Sequence, residues 1–422
     1  MSSATVHSGG VVIVGASHGG VQAAAALRQA GWLDAITLIS DEDALPYHRP
    51  PLSKAFLTAT GDDNLMPIKP WAFYETGGIS LQLGKRVTSI DAARKTVTFG
   101  DETLSYDKLV LATGAAARKL PLPDFTNLHY LRDLSDARRL RPALHAAAKL
   151  VVIGGGFIGL EVAATAAKLG KSVTVLEAQS RLLARALPPA VSDFVTQMHR
   201  NAKSRVLFNA VVKTVEGTGQ TACAVVLEDG RTFPAGLVVI GVGSLPNTEL
   251  AASAGLTLAE GGILVDGHMR SSNPDIYAIG DCAACHNPFS DQVARLESVQ
   301  NAVDQAKAAA RHITGSDEPF SAVPWFWSDQ FDSKIQMAGL PFDGATEILR
   351  GDPATGAFSV LHLEDGVLRA AYSINRAADH MAARKLITSG QLLDTGCAGN
   401  PDQPLKDCLA SAPAGPVGNA ST

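Results

Sequence analysis

Two glycine-rich segments of this chain have the residue types and spacing that can hold a pyrophosphate. The first, Gly15–Gly20, follows the apolar run Val11–Val14, and the second, Gly154–Gly159, follows Val151–Ile153. A β-branched run of this kind predicts a buried parallel strand, and the glycines allow the sharp turn that aims a helix N-terminus at phosphate. The sequence therefore predicts two dinucleotide-binding sites.

The second segment fits the dinucleotide fingerprint. Gly154, Gly156 and Gly159 stand where its three glycines are required, and a second predicted strand, Ser172–Leu176, ends at Glu177. The spacing of about 20 residues suits an acid that accepts hydrogen bonds from the adenosine ribose. Because a carboxylate there would repel a 2′-phosphate, we expect NADH rather than NADPH.

The first segment departs from the fingerprint at its middle position. Ser17 takes the place of the second glycine, while Gly15 is predicted to form the turn and Gly20 to allow close helix packing. The next predicted strand runs into two neighbouring acids, of which Asp41 is the preferred ribose ligand and Glu42 its competitor. A small residue such as serine still lets phosphate approach, so a dinucleotide is expected here too.

The composition is that of an ordinary globular protein. The 422 residues are 46% hydrophobic and include 39 glycines, which is enough for two or three domains. The formal net charge is −5 and basic residues form no run, so we expect no nucleic-acid binding. No apolar stretch reaches the roughly 18 residues of a membrane span, and residues 1–10 lack signal-peptide features, so we expect a cytoplasmic protein.

The cysteines are few, scattered and odd in number, which argues against a disulfide framework. They are Cys223, Cys282, Cys285, Cys397 and Cys408. The Cys-x-x-Cys spacing of Cys282 and Cys285 is also found in redox-active pairs, so a thiol–disulfide role is a weighed alternative.

The order of the predicted elements repeats along the chain. Each glycine loop is followed by a second strand, an antiparallel hairpin region and another buried strand, Lys108–Gly114 in one half and Leu237–Gly243 in the other. A third glycine-terminated run, Asn273–Asp281, and the helical pattern of Leu296–His312 are best explained as the chain returning to the first domain. The sequence therefore predicts a duplicated unit.

The predicted fold class is α/β, with two Rossmann-like dinucleotide-binding domains and a C-terminal α+β domain. The first nucleotide domain is expected to be discontinuous, with residues 1–115 and 248–324, and to enclose the second, residues 116–247. The C-terminal domain is expected to span residues 325–409. Residues 410–422 are rich in small residues and proline and are expected to be mobile.

Several short segments, taken in order, resemble a known family. They are Gly15–Gly20, Arg49–Lys54, Leu111–Gly114, Gly154–Glu161, Gly280-Asp281, Glu297–Val299 and Pro324–Asp329. Their order resembles that of the oxygenase-coupled NADH-ferredoxin reductases, a glutathione-reductase-like family that includes putidaredoxin reductase and the reductase components of aromatic-ring dioxygenases. The resemblance runs from about Val11 to Ile387, and the Arg-Pro-Pro-Leu-Ser-Lys and Trp-Phe-Trp-Ser-Asp-Gln strings carry most of its specificity.

The resemblance implies FAD in the first domain, NADH in the middle domain and a C-terminal domain that faces the flavin. Together with the glycine loops, it gives as FAD contacts Gly15, Ser17, His18, Gly19, Asp41, Arg49, Lys54, Val87, Ala112, Arg132, Gly280, Asp281, Val299 and Trp327. The NADH contacts are Gly154, Gly155, Gly156, Phe157, Ile158, Gly159, Glu177 and Gly243.

Lys54 and Glu161 are the side chains to which the resemblance gives a catalytic role, because the corresponding residues of the family pair beside the reacting flavin nitrogen. Without it, Lys54 is an exposed residue on a short helix, and Glu161 is an acid that opens the helix after the second glycine loop. His18 contacts phosphate or flavin-side water, or is a loop residue without a role. Trp327, which alternates with Trp325 on a short strand, is either a flavin wall or core.

The resemblance also implies a partner. Electrons would pass to a [2Fe-2S] ferredoxin that feeds a cytochrome P450 monooxygenase system or a ring-hydroxylating dioxygenase, and the reductase would be a monomer or weak homodimer. Three alternatives are a rubredoxin reductase, a flavin disulfide reductase that uses Cys282 and Cys285, and a redox sensor resembling apoptosis-inducing factor.

Overall fold

The computed structural model describes residues 5–6, 9–61 and 65–410, so the tail expected to be mobile lies almost wholly outside the described residues. The chain divides into two compact units. The first contains the chain up to Leu183 together with Thr196–Pro324, and the second contains Ala184–Val195 together with the chain from Trp325 onward. Within the described residues, none of the helices combines the length and the apolar character of a membrane-spanning segment.

The elements are numbered in chain order. The first segment contains β1 (Thr5–Val6), β2 (Val11–Val14), α1 (His18–Gln29), β3 (Ile36–Ile39), a 3-10 helix (Pro50–Ser53), α2 (Ala55–Thr58), α3 (Trp71–Thr76), β4 (Ile79–Gln82), β5 (Val87–Asp91), β6 (Thr96–Phe99), β7 (Glu102–Ser105), β8 (Lys108–Leu111) and β9 (Ala115–Ala117). The middle segment contains β10 (Leu128–Tyr130), α4 (Leu134–Ala146), β11 (Lys149–Ile153), α5 (Phe157–Lys168), β12 (Ser172–Leu176), α6 (Pro189–Asn201), β13 (Arg205–Leu207), β14 (Val212–Thr218), β15 (Thr221–Leu227), β16 (Thr232–Pro234), β17 (Leu237–Ile240) and β18 (Ser244–Pro246). The returning segment contains α7 (Glu249–Ser253), β19 (Leu258–Ala259), β20 (Gly262–Val265), β21 (Ile276–Ala278), a 3-10 helix (Gly280–Cys282), β22 (Ala283–Asn287), β23 (Gln292–Ala294) and α8 (Val299–Ile313). The last segment contains β24 (Trp325–Gln330), β25 (Ser333–Gly339), β26 (Thr346–Asp352), a 3-10 helix (Pro353–Thr355), β27 (Ala357–Glu364), β28 (Val367–Ile374), α9 (Ala377–Ser389), α10 (Thr395–Gly399) and a 3-10 helix (Leu405–Asp407).

The first unit contains the same arrangement twice. One five-stranded sheet has the order β21-β8-β2-β3-β4 and the other β10-β17-β11-β12-β13, and all pairings in both are parallel. The antiparallel ladders β5-β6-β7 and β14-β15-β16 occupy equivalent places in sequence. All four residues of β2 are buried, as expected for a central parallel strand covered on both faces. The predicted fold class and the duplication are confirmed.

The chain crosses between the two halves along a short antiparallel ribbon. β9 pairs with β18, with Ala115 opposite Pro246, and the chain then supplies β21, which pairs with β8 of the first sheet. Thr113 and Asn247 fasten this crossing, because Thr113 Oγ1 donates to Asn247 O at 2.7 Å and Asn247 Nδ2 donates to Thr113 O at 2.8 Å. Residues far apart in sequence therefore build one sheet.

The second unit is a five-stranded antiparallel sheet of order β24-β25-β28-β27-β26 with α9 packed against it. Arg350 on β26 is 1% exposed, and its Nε lies 3.0 Å from Asp379 Oδ2. A charge buried this deeply needs such a partner to offset its lost hydration. Its guanidinium also donates to the carbonyl oxygens of Ala398, Asn400 and Gln403. These bonds hold the segment after α9 on the sheet.

One feature of this unit differs from the sequence-based expectation. Cys397 and Cys408 form a disulfide, whereas the cysteine count argued against a disulfide framework. α10 and the turn after it bring their Cα atoms to 5.2 Å, within the range that a disulfide spans. The number and spacing of the cysteines in the sequence do not show that a short turn brings Cys397 and Cys408 together.

Candidate dinucleotide-binding and redox site

The first glycine of each loop is held in a conformation that other residues rarely adopt. Gly15 has φ +107° and Gly154 has φ +102°. A Cβ atom would lie 2.2 Å from Ala112 O at Gly15 and 2.4 Å from Gly241 O at Gly154. Both turns therefore require glycine, as the sequence predicted, and the carbonyl that excludes a side chain at Gly15 belongs to Ala112, a predicted FAD contact.

The third glycine of each loop packs its helix against the turn. A Cβ atom at Gly20 would lie 1.9 Å from Gly15 O, and one at Gly159 would lie 2.6 Å from Gly154 O. These contacts bring the N-termini of α1 and α5 close to their turns. The role predicted for Gly20 is confirmed.

The middle position of each loop is the N-cap of its helix. Ser17 and Gly156 both have extended backbone; the Ser17 hydroxyl does not cap α1, and Gly156 has no side chain that could cap α5. The Ser17 hydroxyl instead accepts a hydrogen bond from Arg49 Nε at 3.0 Å. The first-turn N–H groups of α1 and α5 thus have no side-chain cap. N–H donors without such a cap are the ones that a pyrophosphate oxygen needs.

The two acid positions are not equivalent in register. Gly15 N donates to Ile39 O and Gly154 N donates to Leu176 O, both at 2.8 Å, so the residue that matches Glu177 in the first half is Ser40. Glu177 follows its strand directly, and its Oε2 accepts from Gly155 N at 2.6 Å. The predicted first-half acids therefore lie one and two residues beyond the matching position.

The neighbouring acids of the first half have different environments. Glu42 accepts from Tyr47 OH at 2.6 Å and pairs with Arg49 Nη2 at 2.5 Å. Asp41 is half exposed, and its Oδ2 lies 2.7 Å from Nη2 of the exposed Arg86. Asp41 is the more accessible carboxylate, which favours it over Glu42 as a ligand for a ribose.

Arg49 connects this network to the helix N-terminus. Besides its bonds to Ser17 and Glu42, its Nη1 donates to Arg132 O at 3.0 Å. Burial by itself lowers the pKa of the Arg49 guanidinium, but Tyr47 and Glu42 beside it raise that pKa above its usual value. A permanent positive charge therefore lies beside the start of α1, where a phosphate would bind.

Lys54 and Glu161 meet across the two nucleotide-binding halves. Lys54 Nζ lies 2.6 Å from Glu161 Oε2, and the two side chains are 24% and 4% exposed. The pairing implied by the resemblance is present. Glu161 is not in the first turn of its helix, as the sequence suggested, because the N-cap is Gly156 and Glu161 is the fifth helical residue.

Ser53 adds two further contacts at the same point. Its hydroxyl donates to Glu161 Oε2 at 2.5 Å, and its carbonyl accepts from Thr165 Oγ1 at 2.9 Å. Glu161 and Thr165 are one turn apart on α5, so the helix holds Ser53 at both its side chain and its backbone. Sequence reasoning missed Ser53, although the residue lies inside the Arg-Pro-Pro-Leu-Ser-Lys string.

Asp281 lies in a second cluster of charged side chains. Arg132 Nη2 is 2.6 Å from Asp281 Oδ2, and Arg295 Nη1 donates to Asp281 O at 3.1 Å and lies 2.6 Å from Glu297 Oε1. Burial raises the pKa of Glu297, but a hydrogen bond from Ser244 and the charge of Arg295 lower it below the usual value. Sequence reasoning did not place Arg295 and Glu297 in this charged cluster, although Glu297 belongs to a quoted segment.

His18 is the first residue of α1 and is buried. Its Nε2 lies 3.1 Å from His48 Nδ1, and burial together with His48 and Arg49 lowers the pKa of His18 to about 4. The ring is neutral at pH 7 and is held by a second imidazole. His18 therefore contacts His48 at the start of α1, and its contact with phosphate or flavin-side water stays a prediction.

The cofactor contacts of all the predicted residues stay predictions, and the structure gives the positions of those not yet described. Gly19 is buried in α1, Val87 begins β5, Gly280 adopts φ +74°, Val299 begins α8 and Gly243 adopts φ +106° after β17. Phe157 and Ile158 are the first two residues of α5. Trp327 lies in the C-terminal unit, with its ring centroid 5.5 Å from that of Trp325.

Cys282 and Cys285 do not have the environment of a redox-active pair. Both are buried and free, and burial raises the pKa of each thiol. Cys282 Sγ donates to Ile279 O at 3.3 Å, and Cys285 Sγ accepts from Gln305 Nε2 at 3.5 Å. Since reactive cysteines need a stabilised, accessible thiolate, this arrangement disfavours a thiol–disulfide role.

Comparisons with known proteins agree with this geometry. The family described as pyridine nucleotide-disulphide oxidoreductase matches residues 9–306, and the one described as reductase C-terminal matches residues 325–409. Rhodocoxin reductase of Rhodococcus erythropolis is 41% identical, over 95% of this chain and 94% of its own length. The anthranilate 1,2-dioxygenase system ferredoxin–NAD(+) reductase component of Burkholderia cepacia is 39% identical, over 94% of this chain and 98% of its own.

A solved structure gives the same result in three dimensions. The covalent putidaredoxin reductase–putidaredoxin complex contains a chain that is 40% identical, with a TM-score of 0.90 over 95% of this chain and 98% of that one. The resemblance inferred from the short segments is confirmed. This chain belongs to the pyridine nucleotide-disulphide oxidoreductase family and is an oxidoreductase.

Proposed function

We propose that this protein is an NADH-dependent, FAD-containing reductase that passes electrons one at a time to a [2Fe-2S] ferredoxin. The ferredoxin would supply a cytochrome P450 or a ring-hydroxylating dioxygenase. The observation that carries the proposal is the contact of Ser53 and Lys54 with Glu161, because it joins two glycine-turn halves at one buried carboxylate. The names and coverage of the relatives support the class of partner.

The first half fits FAD. The turn at Gly15 leaves room only for backbone, α1 has no side-chain cap, and the Arg49 cation lies 3.0 Å from Ser17 at the helix start. These are the features that bind a pyrophosphate. The accessible Asp41 would hold the ribose, and Asp281, which is held by Arg132, would face the rest of the flavin nucleotide.

The second half fits an exchangeable NADH. α5 begins at the turn formed by Gly154, and the carboxylate of Glu177 follows the second strand directly. Glu177 would accept from the ribose hydroxyls and repel a 2′-phosphate, which gives the preference for NADH. Held by these residues, FAD would supply the chemistry that accepts a hydride from NADH and donates electrons one at a time.

Lys54 and Glu161 would act by charge and position. The Lys54 ammonium would place a positive charge beside the flavin ring, and a fixed charge in a partly buried place would stabilise the negative charge that the ring gains on reduction. Glu161 is 4% exposed, so its pairing with Lys54 offsets the cost of burying a carboxylate. Ser53 gives the same carboxylate oxygen a neutral donor, which keeps the side chain oriented.

We also propose that the protein works in the cytoplasm as a monomer or weak homodimer. The net charge of −5 would require a local basic patch for an acidic ferredoxin to dock.

Stopped-flow absorbance tests the proposal. NADH should bleach the flavin of the purified protein, and mixing with a [2Fe-2S] ferredoxin should restore the absorbance within milliseconds to seconds. Including a rubredoxin among the acceptors tests whether the protein is instead a rubredoxin reductase. In that case rubredoxin would reoxidise the flavin faster than any ferredoxin. A reduced flavin that persists with every acceptor would favour a redox sensor, and a colourless protein that cannot be reconstituted with FAD would exclude all of these functions.

A further inference from the structure

Away from the redox site, three side chains with metal-binding atoms converge in the first unit. His268 lies in the connection between β20 and β21, His312 in the last turn of α8, and Asp317 in the loop after α8. One imidazole nitrogen from each histidine and one carboxylate oxygen all lie within 4.8 Å of one another. The sequence analysis did not single out any of these residues.

The separation of His268 from Asp317 matches two ligands of a tetrahedral metal site better than a hydrogen bond. His268 Nε2 lies 3.4 Å from Asp317 Oδ1, which is long for a charge-assisted hydrogen bond. Two ligands that each lie about 2.0–2.1 Å from a tetrahedral Zn²⁺ are separated by roughly 3.3–3.4 Å. The two histidine rings are stacked, with centroids 4.5 Å apart, and one nitrogen of each lies within 4.8 Å of the other ligand atoms, so a small rotation lets both bind one cation.

A buried residue orients one of the histidines. Tyr277 OH lies 2.9 Å from His312 Nδ1, and Tyr277 is 2% exposed. This contact occupies the Nδ1 side of the ring and leaves Nε2 as the metal-binding atom. Metal-binding histidines commonly use their second nitrogen in this way, because the bond fixes both the tautomer and the ring orientation.

The positive charges nearby are already compensated. Arg270 Nη2 lies 2.9 Å from Asp266 Oδ2, and Arg311 Nε lies 3.6 Å from Glu318 Oε2. The Asp317 side chain is 98% exposed, so it can turn toward an arriving cation without breaking a buried contact.

We propose that His268, His312 and Asp317 bind a borderline divalent cation, with Zn²⁺ as the best fit, through two imidazoles, one carboxylate and a water. Three protein ligands with an open fourth position give a reversible site, since fully structural zinc sites have four protein ligands. The bound cation joins the end of α8 to the connection before β21 and would stabilise the fold there.

Calorimetric titration of the tag-free, chelator-treated holoprotein with Zn²⁺ tests this proposal. A Cys223→Ser background removes the exposed free thiol as a competing ligand. We expect one equivalent to bind, and His268→Ala and His312→Ala to weaken it by more than about 100-fold, while Tyr277→Phe weakens it by about 10-fold. Saturating Zn²⁺ should raise Tm by about 2–5 °C, and His268→Ala should abolish that rise.

His286 provides the matched control. It is an exposed histidine whose Nε2 lies 2.9 Å from Asp291 Oδ1, with a carboxylate partner as at His268 but outside the three-residue cluster. His286→Ala should bind Zn²⁺ like the parent protein, and all variants should keep their NADH-dependent turnover. If His312→Ala folds poorly, Asp317→Asn on the exposed loop gives the same information. The proposal is overturned if the parent protein binds no Zn²⁺, or if the His268 and Asp317 variants bind it as tightly as the parent.

Discussion

The two nucleotide-binding halves share one topology but differ in how they prepare the helix N-terminus. At α1 the start is surrounded by side chains, with Ser17 bonded to Arg49 and Arg49 bonded to Glu42. At α5 the start consists of glycine backbone, and the charged group near it is the carboxylate of Glu177. A charged, preorganised network suits a nucleotide that stays bound, whereas backbone donors with one acid suit a nucleotide that exchanges at every turnover.

The largest effect on stability and FAD affinity is expected when Arg49 is removed from the first half. In Arg49→Ala, Glu42 loses its cation and the helix start loses its positive charge, so we expect a loss of about 2–3 kcal/mol in stability. FAD affinity should fall by about 100-fold or more, which corresponds to at least about 2.7 kcal/mol. Thermal unfolding and the flavin-to-protein absorbance ratio after gel filtration measure both effects.

Arg94→Ala is the control for this variant. Arg94 is 84% exposed and lies 3.4 Å from Asp91, so its removal should change stability by less than about 0.5 kcal/mol. If Arg49→Ala retained flavin as well as Arg94→Ala does, the charged network of the first half would not contribute to FAD binding.

A methyl group at the third glycine of the second half should affect NADH alone. In Gly159→Ala the new Cβ would lie 2.6 Å from Gly154 O, so α5 must move away from its turn at a cost of about 1–3 kcal/mol. We expect NADH affinity to fall by about 10–100-fold while FAD remains bound. Gly236→Ala is the control, since it lies outside the predicted NADH contacts and its Cβ would have 3.4 Å to the nearest atom, and flavin-quenching titrations with NADH compare the two. Loss of flavin from Gly159→Ala would show that the halves are not independent.

Lys54→Met tests the contact between the halves. The variant keeps the length of the side chain but removes its charge from Glu161, so flavin reduction by NADH should slow by about 10–100-fold or the flavin potential should shift, with FAD still bound. Ser53→Ala should have a smaller effect of about 3–10-fold, because it removes one neutral hydrogen bond. Stopped-flow reduction and the flavin reduction potential measure both variants.

Thr165→Val separates chemistry from packing at this contact. It removes the bond from Thr165 Oγ1 to Ser53 O but leaves the carboxylate of Glu161 untouched. Its reduction rate should match the parent within about twofold. Equal losses in Thr165→Val and Lys54→Met would reduce Lys54 to a structural residue.

Glu177→Ala tests whether the acid of the second half selects NADH over NADPH. NADH affinity should fall and the preference for NADH over NADPH should narrow by about 10-fold, which is about 1.4 kcal/mol. Steady-state kcat/KM values for the two nucleotides give the ratio. An unchanged ratio would mean that another residue selects the cofactor, and Glu228→Ala, at an exposed acid on the β15–β16 turn, serves as the control.

The smallest effect is expected when Cys282 and Cys285 are both replaced by alanine. The two thiols are buried and free, so the double variant should lose some stability but keep ferredoxin-dependent cytochrome c reduction within about twofold. A large loss of that activity at a normal flavin content would instead support a flavin disulfide reductase.

The sequence predicted those features that depend on local backbone geometry. The turns at Gly15 and Gly154 need glycine because a Cβ atom would meet a carbonyl oxygen, and that need is visible as a motif. The duplicated sheets follow from the same order of apolar runs. Glu161 was misplaced by one helical turn because the N-cap is Gly156, three residues before the glycine that packs the helix.

Contacts between distant residues could not be predicted in the same way. Ser53 and Glu161 are 108 residues apart, and Arg132 and Asp281 are 149 apart, so only the folded chain brings them together. The resemblance supplied Lys54 and Asp281 as site residues, but it did not indicate Ser53. The disulfide of Cys397 with Cys408 depends on the path of one short loop, which cysteine counting does not contain.

The antiparallel ribbon of β9 and β18 has a consequence for how such enzymes diversify. Because Ala115 lies opposite Pro246, the polypeptide enters and leaves the middle half at neighbouring points. A cassette with those adjacent ends can be exchanged for another without rethreading the surrounding sheet. Evolution could thus swap the coenzyme specificity of an ancestral scaffold by transplanting a single continuous stretch of gene.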